Sequence, residues 1–225
     1  MFGKNKITSF KNHQGNYLAI QEIFATIQGE GPFAGRPAIF VRLSGCNLKC
    51  SFCDTEFDNP IEKKLPEIIE EIIKLSKNSK QKIIRKLVVI TGGEPMIQPI
   101  AKLCANLIKL KFQIQIETNG TLYRKLPKDV KIICSPKNSY KKYFPVNRDL
   151  LPRINAFKFL ISDSNPRYSM VPELGQSEFN IPVYLQPIDE YDQNKNLKNL
   201  QKTQDLCQEN GHFISLQIHK ILNIR

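Results

Sequence analysis

Two periods of apolar residues divide the chain. The segment 18-LAIQEIFATIQ-28 is rich in β-branched and aromatic residues and predicts a strand, ending in the turn-rich 29-GEGPFAGRP-37. A second strand is expected over 38-AIFVRLSG-45, leading into a cluster of cysteines. Over 65-LPEIIEEIIKL-75 the period becomes helical: Leu65, Ile68, Ile69, Ile72 and Ile73 make one stripe, and Glu70 stands one turn before Lys74. The short apolar run 86-KLVVIT-91 reads as a buried strand running into Gly92 and Gly93. A helix over about 97–110 follows, with Ile97, Ile100, Ala101, Cys104, Leu107 and Ile108 on one face. Further strands are expected at 112–117, 130–134, 154–161, 181–186 and 213–219, with a polar helix at about 195–209. The first 16 residues are polar and basic, a short strand or a tail.

Strands alternating with helices predict an α/β fold with a parallel sheet, open or a partial barrel. In such folds the loops after the carboxyl ends of the strands build the site. The cysteine loop, TGGEP (91–95), ETNG (117–120), CSPK (134–137) and LQPID (185–189) all follow predicted strands, so they are expected on one face of the sheet.

With 225 residues the chain is long enough for one large domain, residues 1–225, with a special loop at about 44–58. No apolar run approaches the ~18 residues of a membrane span, and the start lacks the apolar core of a signal peptide, which predicts a cytoplasmic protein without a membrane partner. The formal net charge is +12, which raises the question of a nucleic-acid partner. The surplus is mostly lysine, spread along the chain with no basic arm and no aromatic–basic alternation, so no direct nucleic-acid binding is expected.

The cysteines change the picture. In a reducing compartment, six of them point to ligation or catalysis rather than disulfides. Cys46, Cys50 and Cys53 lie in 43-LSGCNLKCSFCDTEFD-58 as C-x-x-x-C-x-x-C. Cys104 and Cys207 fall at helical core spacing, and Cys134 ends an apolar strand; free cysteine packs as a small hydrophobe. Thiolates select zinc, copper(I) or iron–sulfur clusters. Structural zinc needs four closed ligands, and no second C-x-x-C exists here. A cubane cluster held by three cysteines leaves one iron open to bind another molecule.

The spacing, with Phe52 before the third cysteine and 91-TGGEP-95 after a strand, resembles the radical S-adenosylmethionine enzymes. The run 24-FATIQGEGPFAGRPAIFVRLSGCNLKCSFCDTEFD-58, with TGGEP, ETNGT, SPK, LQP and 215-SLQIHKIL-222, resembles the 7-carboxy-7-deazaguanine synthase family within that superfamily, in family order over nearly the whole chain. The resemblance implies an incomplete (β/α) barrel of the radical S-adenosylmethionine type. It implies a lyase that converts 6-carboxy-5,6,7,8-tetrahydropterin to 7-carboxy-7-deazaguanine with loss of ammonia, in deazapurine (queuosine-type) biosynthesis. The implied cofactors are a 4Fe-4S cluster, S-adenosyl-L-methionine and Mg²⁺; the implied partners are a reductant protein such as a flavodoxin and a second copy in a homodimer. A glycyl-radical-enzyme activase and a non-catalytic iron–sulfur electron carrier are the alternatives. TIQGEG and CDT favour the lyase, and a carrier would normally close its irons with a fourth cysteine.

Site roles follow from the same resemblance. Cys46, Cys50 and Cys53 match the cluster ligands, and Thr55 the magnesium ligand, a hard oxygen suited to Mg²⁺. Phe52, Asp54, Gly93, Glu94, Ser135, Pro136, Lys137, Gln186, Pro187, Ile188 and Asp189 match contacts to S-adenosylmethionine, with Glu94 an acceptor for its ammonium group. Ile27, Gln28, Gly29, Glu30, Arg42, Thr91 and His219 match substrate contacts, with Arg42 forking onto the substrate carboxylate. Without the resemblance, Thr55 reads as a loop-capping hydroxyl, Arg42 as a surface ion-pair residue, Glu30 as a solvated carboxylate and His219 as a core histidine.

Overall fold

Strand β1 (Tyr17–Ile27) is followed by β2 (Pro37–Leu43), which runs back along it with Ile27 opposite Pro37 and Ile20 opposite Leu43. The pair is antiparallel, an addition at one side of the parallel sheet expected from the sequence. Its cause is the connection: residues 28–36 are too few to hold the helical crossover that parallel strands require. The computed structural model describes residues 6–50, 53, 60–139 and 142–224. They form two compact units, one of residues up to 28, 36–118 and 122–131, the other of 29–35, 119–121 and 132 onward.

In the first unit the strand order is β3-β1-β2-β4-β5. β3 (Ile61–Lys64) pairs antiparallel with the start of β1. Its sequence, IEKK, has no apolar alternation and gave no strand signal. α1 (Leu65–Ser76) begins with Pro66 in its first turn, and Glu67 accepts the Lys64 N–H at 2.9 Å, satisfying one donor at the helix start. It buries Ile68 and Ile72 against β1 and β2. β4 (Leu87–Gly92) and β5 (Gln113–Thr118) continue the sheet in parallel with β2. The helix expected from residue 97 is shorter: α2 spans Ala101–Lys109, preceded by a 3-10 turn at Pro95–Ile97. Pro99 is the reason, because it drives Gln98 out of helical geometry, to ψ 151°. Ile97 and Ile100 are buried all the same.

In the second unit β6 (Lys131–Cys134), β7 (Ile154–Ile161), β8 (Val183–Pro187) and β9 (Phe213–Ile214) are parallel neighbours in that order. α3 (Gln193–Asn210) is capped by Asp192, which accepts the Lys195 N–H, and ends at Gly211 in the left-handed region, φ 66°. The strand expected over 213–219 stops after two residues. Ser215 still donates its N–H to Leu185 O of β8, and beyond it the chain turns toward residues 29–31, ending in the short helix α4 (Ile218–Ile221). Cys104 and Cys207 are buried in α2 and α3, as their spacing predicts. No helix of the described residues is long and apolar enough to cross a membrane.

Candidate functional site

In the first unit the loops after β2 and β4 are stitched together at the carboxyl ends of their strands. Gly93 donates its N–H to Leu43 O at 3.0 Å, and Glu94 donates its N–H to Gly45 O at 2.9 Å. There is no room for a side chain at residue 93: a Cβ there would lie 1.8 Å from Gly45 O. The Glu94 carboxylate is fully buried, and one oxygen accepts both the Met96 N–H at 2.9 Å and the Thr118 hydroxyl at 2.7 Å. The end of β5 is thereby tied to the same point. Gln98, also fully buried, donates to Ser44 O and Ala19 O and accepts the Ala19 N–H, fixing the start of the cysteine loop. The segment before β1 backs this loop as well. Thr8 donates its N–H to Cys46 O at 2.7 Å, and Lys11 donates its N–H to Ile97 O. Arg124 stacks over Phe10, 3.8 Å from the ring centroid, and donates to Met96 O and Ile97 O.

The three cysteines of the loop are free thiols, each partly exposed. Burial pushes the Cys46 thiol up to about 12, and neighbouring charges at Glu94, Cys50 and Cys53 push in the same direction. A metal must therefore displace a proton from this sulfur to bind. Among the described residues no group of three His, Cys, Asp or Glu side chains is gathered closely enough to hold a metal. The fit to a three-cysteine cluster lies in the donor set: soft sulfurs on one short loop, sensing one another's charge, beside backbone cleared of side chains at Gly93. Phe52, Asp54 and Thr55 lie outside the described residues.

On the same sheet Arg42 stands opposite Thr91 in register. Its guanidinium pairs with Glu22 at 2.8 Å and lies 5.4 Å from the Phe24 ring centroid. Gln28 is buried and donates its N–H to Arg36 O, and Ile27 ends β1.

In the second unit the motif 29-GEG-31 is zipped to 215-SLQIH-219. Gly29 O accepts the Ile218 N–H at 3.1 Å, Glu30 accepts the Gln217 side-chain N–H at 2.9 Å, and Gly31 donates its N–H to Ser215 Oγ at 2.8 Å. A Cβ on Gly29 would stand 2.2 Å from His219 Nδ1. The other Glu30 oxygen meets the Lys158 ammonium at 2.5 Å. Burial raises the Glu30 carboxyl, but the Lys158 charge and hydrogen bond, helped by Gln217 and the His219 charge, overrule it and hold the group at about 2. Glu30 is thus neither a solvated carboxylate nor isolated. Since its folded value lies below the ordinary 4.5, its stabilisation is present above pH 4.5 and fades as pH falls toward 2. The stability difference between wild type and Glu30→Gln, measured by urea unfolding, is expected to shrink by up to about 3 kcal/mol between pH 5 and pH 2.

The remaining candidates of this unit sit on loops after strands. Lys137 donates to Ser135 Oγ at 2.6 Å, beside the buried Pro136. Gln186 is buried and accepts from Ser215 Oγ, and Ile188 donates its N–H to Ile161 O. Asp189 pairs with Lys220 at 2.7 Å and accepts from Asn196 and the Tyr191 N–H.

Comparison with known proteins identifies this arrangement. The radical SAM superfamily model matches residues 40–139, which include the cysteine loop, the 93–94 turn and the 135–137 turn. The chain is 50% identical over its whole length to the 7-carboxy-7-deazaguanine synthase of Rickettsia prowazekii, covering 96% of that protein. It is 36% identical to that of Rhodospirillum rubrum over the full length of both. The chain belongs to the 7-carboxy-7-deazaguanine synthase family. The crystal structure of QueE from Escherichia coli overlays with a TM-score of 0.69 at 26% identity, covering 89% of this chain and 94% of that one. The fold class of the family is the incomplete (β/α) barrel expected from the sequence, and as radical S-adenosylmethionine enzymes its members work with a 4Fe-4S cluster and S-adenosylmethionine.

Sequence reasoning missed three residues that hold candidate site residues in place. Lys158 hides in the apolar strand 154-INAFKFLI-161, where a lone lysine between two phenylalanines is itself a signal. Thr118 and Gln98 gave none, since each is an ordinary polar residue whose role depends on a partner distant in the chain.

Proposed function

We infer that this chain is a radical S-adenosylmethionine lyase that converts 6-carboxy-5,6,7,8-tetrahydropterin to 7-carboxy-7-deazaguanine with loss of ammonia. The observation that carries this reading is full-length family membership combined with a three-cysteine loop whose backbone is pinned to Gly93 and Glu94. No observation favours an activase, and a carrier lacks its fourth cysteine, because Cys104 and Cys207 are buried in helices and Cys134 is buried at the end of β6.

In this reading Cys46, Cys50 and Cys53 hold the cluster. When bound, the cluster supplies the electron that cleaves S-adenosylmethionine and begins radical chemistry. The chain's own part is orientation. Gly93 lets the backbone approach the cofactor closely, and Glu94, fixed by Met96 and Thr118, presents an ionisable acceptor to the cofactor's ammonium group. Ser135 and Lys137 and the 186–189 turn, steadied at Asp189 by Lys220, make the further cofactor contacts. Arg42, held in one orientation by Glu22 and Phe24, answers the substrate carboxylate. Ile27, Gln28, Gly29, Glu30, Thr91 and His219 make the remaining substrate contacts. Thr55 ligates Mg²⁺, which takes few protein ligands and keeps water or substrate oxygens. Residues 1–225 act as one catalytic domain in the cytoplasm, as a homodimer reduced by a flavodoxin-type protein.

The test is an anaerobic turnover assay with reduced, reconstituted enzyme, S-adenosylmethionine, Mg²⁺ and either the free pterin or tRNA. Deazapurine product and ammonia are expected from the pterin alone. A requirement for tRNA would overturn the reading. In the same assay Thr55→Ala is expected to keep its cluster but need at least tenfold more Mg²⁺ for half-maximal rate; an unchanged titration would remove Thr55 as the ligand.

A further inference from the structure

We propose that Lys158 is a positioning residue for substrate recognition: its buried ammonium fixes the orientation and charge of Glu30, so that the carboxylate serves as an anionic acceptor for N–H groups of the heterocycle. This rests on the reading of Glu30 as a substrate contact and adds the residue through which that contact is set.

The geometry is specific. Lys158 lies mid-strand in β7 between Phe157 and Phe159 and is 5% exposed. A lysine is almost never so buried without a partner, because its charge must be compensated there. Its ammonium is 2.5 Å from one Glu30 oxygen, while Gln217 donates to the other at 2.9 Å. The two donors come from different elements, so the carboxylate cannot rotate without losing one. Each ionised carboxylate oxygen can accept two hydrogen bonds, so the bonds from Lys158 and Gln217 orient the group and are compatible with acceptance from a ligand. The lysine stem passes alongside Gly31, its Cδ 3.9 Å from where a Cβ would stand.

The charge argument runs the same way. Glu30 is largely withdrawn from water, its side chain 19% exposed, and this desolvation alone favours the protonated acid, which would offer a donor in place of an acceptor. Lys158 reverses this preference, with smaller contributions from the Gln217 hydrogen bond and the His219 charge, and the carboxylate stays ionised at physiological pH. A purely structural ion pair would contribute to folding and leave the ligand's pH response alone. A positioning pair makes recognition itself depend on pH once the lysine is gone.

The experiment compares wild type, Lys158→Met, Lys158→Arg, Glu30→Gln and the double variant Lys158→Met/Glu30→Gln. It measures equilibrium binding of the pterin and KM and kcat at pH 8 and pH 6, with iron content and thermal unfolding as checks on integrity. In Lys158→Met the Kd and KM are expected to rise at least tenfold more at pH 6 than at pH 8, relative to wild type, as Glu30 takes up a proton. Lys158→Arg restores most of the affinity and the pH response of the wild type. Glu30→Gln weakens binding equally at both pH values, and the double variant is no worse than Glu30→Gln alone. A Lys158→Met protein with lowered melting temperature but a pH response parallel to wild type would overturn the proposal. Wild-type affinity in Glu30→Gln would overturn it too, even if Lys158→Met failed to fold. Wild type that neither binds nor turns over the pterin would instead bring down the functional reading, and this proposal with it.

Discussion

Cys50→Ser is expected to lose its cluster iron and all turnover, while Cys104→Ser keeps both. The two residues have the same thiol and opposite surroundings. Cys50 is partly exposed on a loop with Cys46 and Cys53 close enough for their charges to matter. Cys104 is fully buried on α2 between the buried Leu103 and Leu107, outside the loop that carries the three sulfurs. Serine at 50 replaces a soft donor with a hard, poorly acidic one, leaving two sulfurs for a cluster that needs three. Serine at 104 places a hydroxyl in an apolar setting and costs about 1–3 kcal/mol of stability. Iron per chain after anaerobic reconstitution separates them. Normal iron in Cys50→Ser would falsify the ligand assignment.

The second large effect is expected from the smallest substitution. Gly93→Ala places a methyl 1.8 Å from Gly45 O and 2.5 Å from Gly45 C, both backbone atoms with no rotamer to move aside. To admit it, the loops after β2 and β4 must part, breaking the bonds from Gly93 to Leu43 and from Glu94 to Gly45. Losses above ~4 kcal/mol belong to backbone conflicts of this kind. Urea unfolding is expected to show a loss of about that size, with iron content falling in the protein that still folds. Gly35→Ala is the control. Nothing lies within 4 Å of a Cβ there, and only its φ of +84° opposes a side chain, a cost of about 1–2 kcal/mol. Equal stability losses in the two variants would show that the loop junction is not held as described.

What the sequence disclosed and what it hid follow from the range of each interaction. β-branched runs such as 87-LVVI-90 and the stripe of α1 are local signals, and both elements form where expected. The cysteine loop and the glycine pair were legible because their chemistry is written in spacing. β3 was hidden because pairing with β1, not its own residues, makes IEKK a strand. The end of the chain was misread for the same reason: 213-FISLQIH-219 alternates like a strand, but Ser215 and Gln217 direct their side chains to the 29–31 turn, 184 and 187 positions away along the chain. Glu30 gave a similar contrast. Its motif pointed to ligand contact, yet nothing local foretold the lysine that holds its charge.

The segment before β1 reads as a short strand or a tail, and residues 8–11 are bonded to the cysteine loop and to the 95–97 turn, with Arg124 stacked over Phe10 and bonded to the same turn. The practical result concerns how the protein is handled. Trimming the chain to begin at β1 would remove the backbone that holds Cys46 O and Ile97 O, so poor iron loading in such a shortened protein would report the missing strap and not a failure of the cysteine ligands.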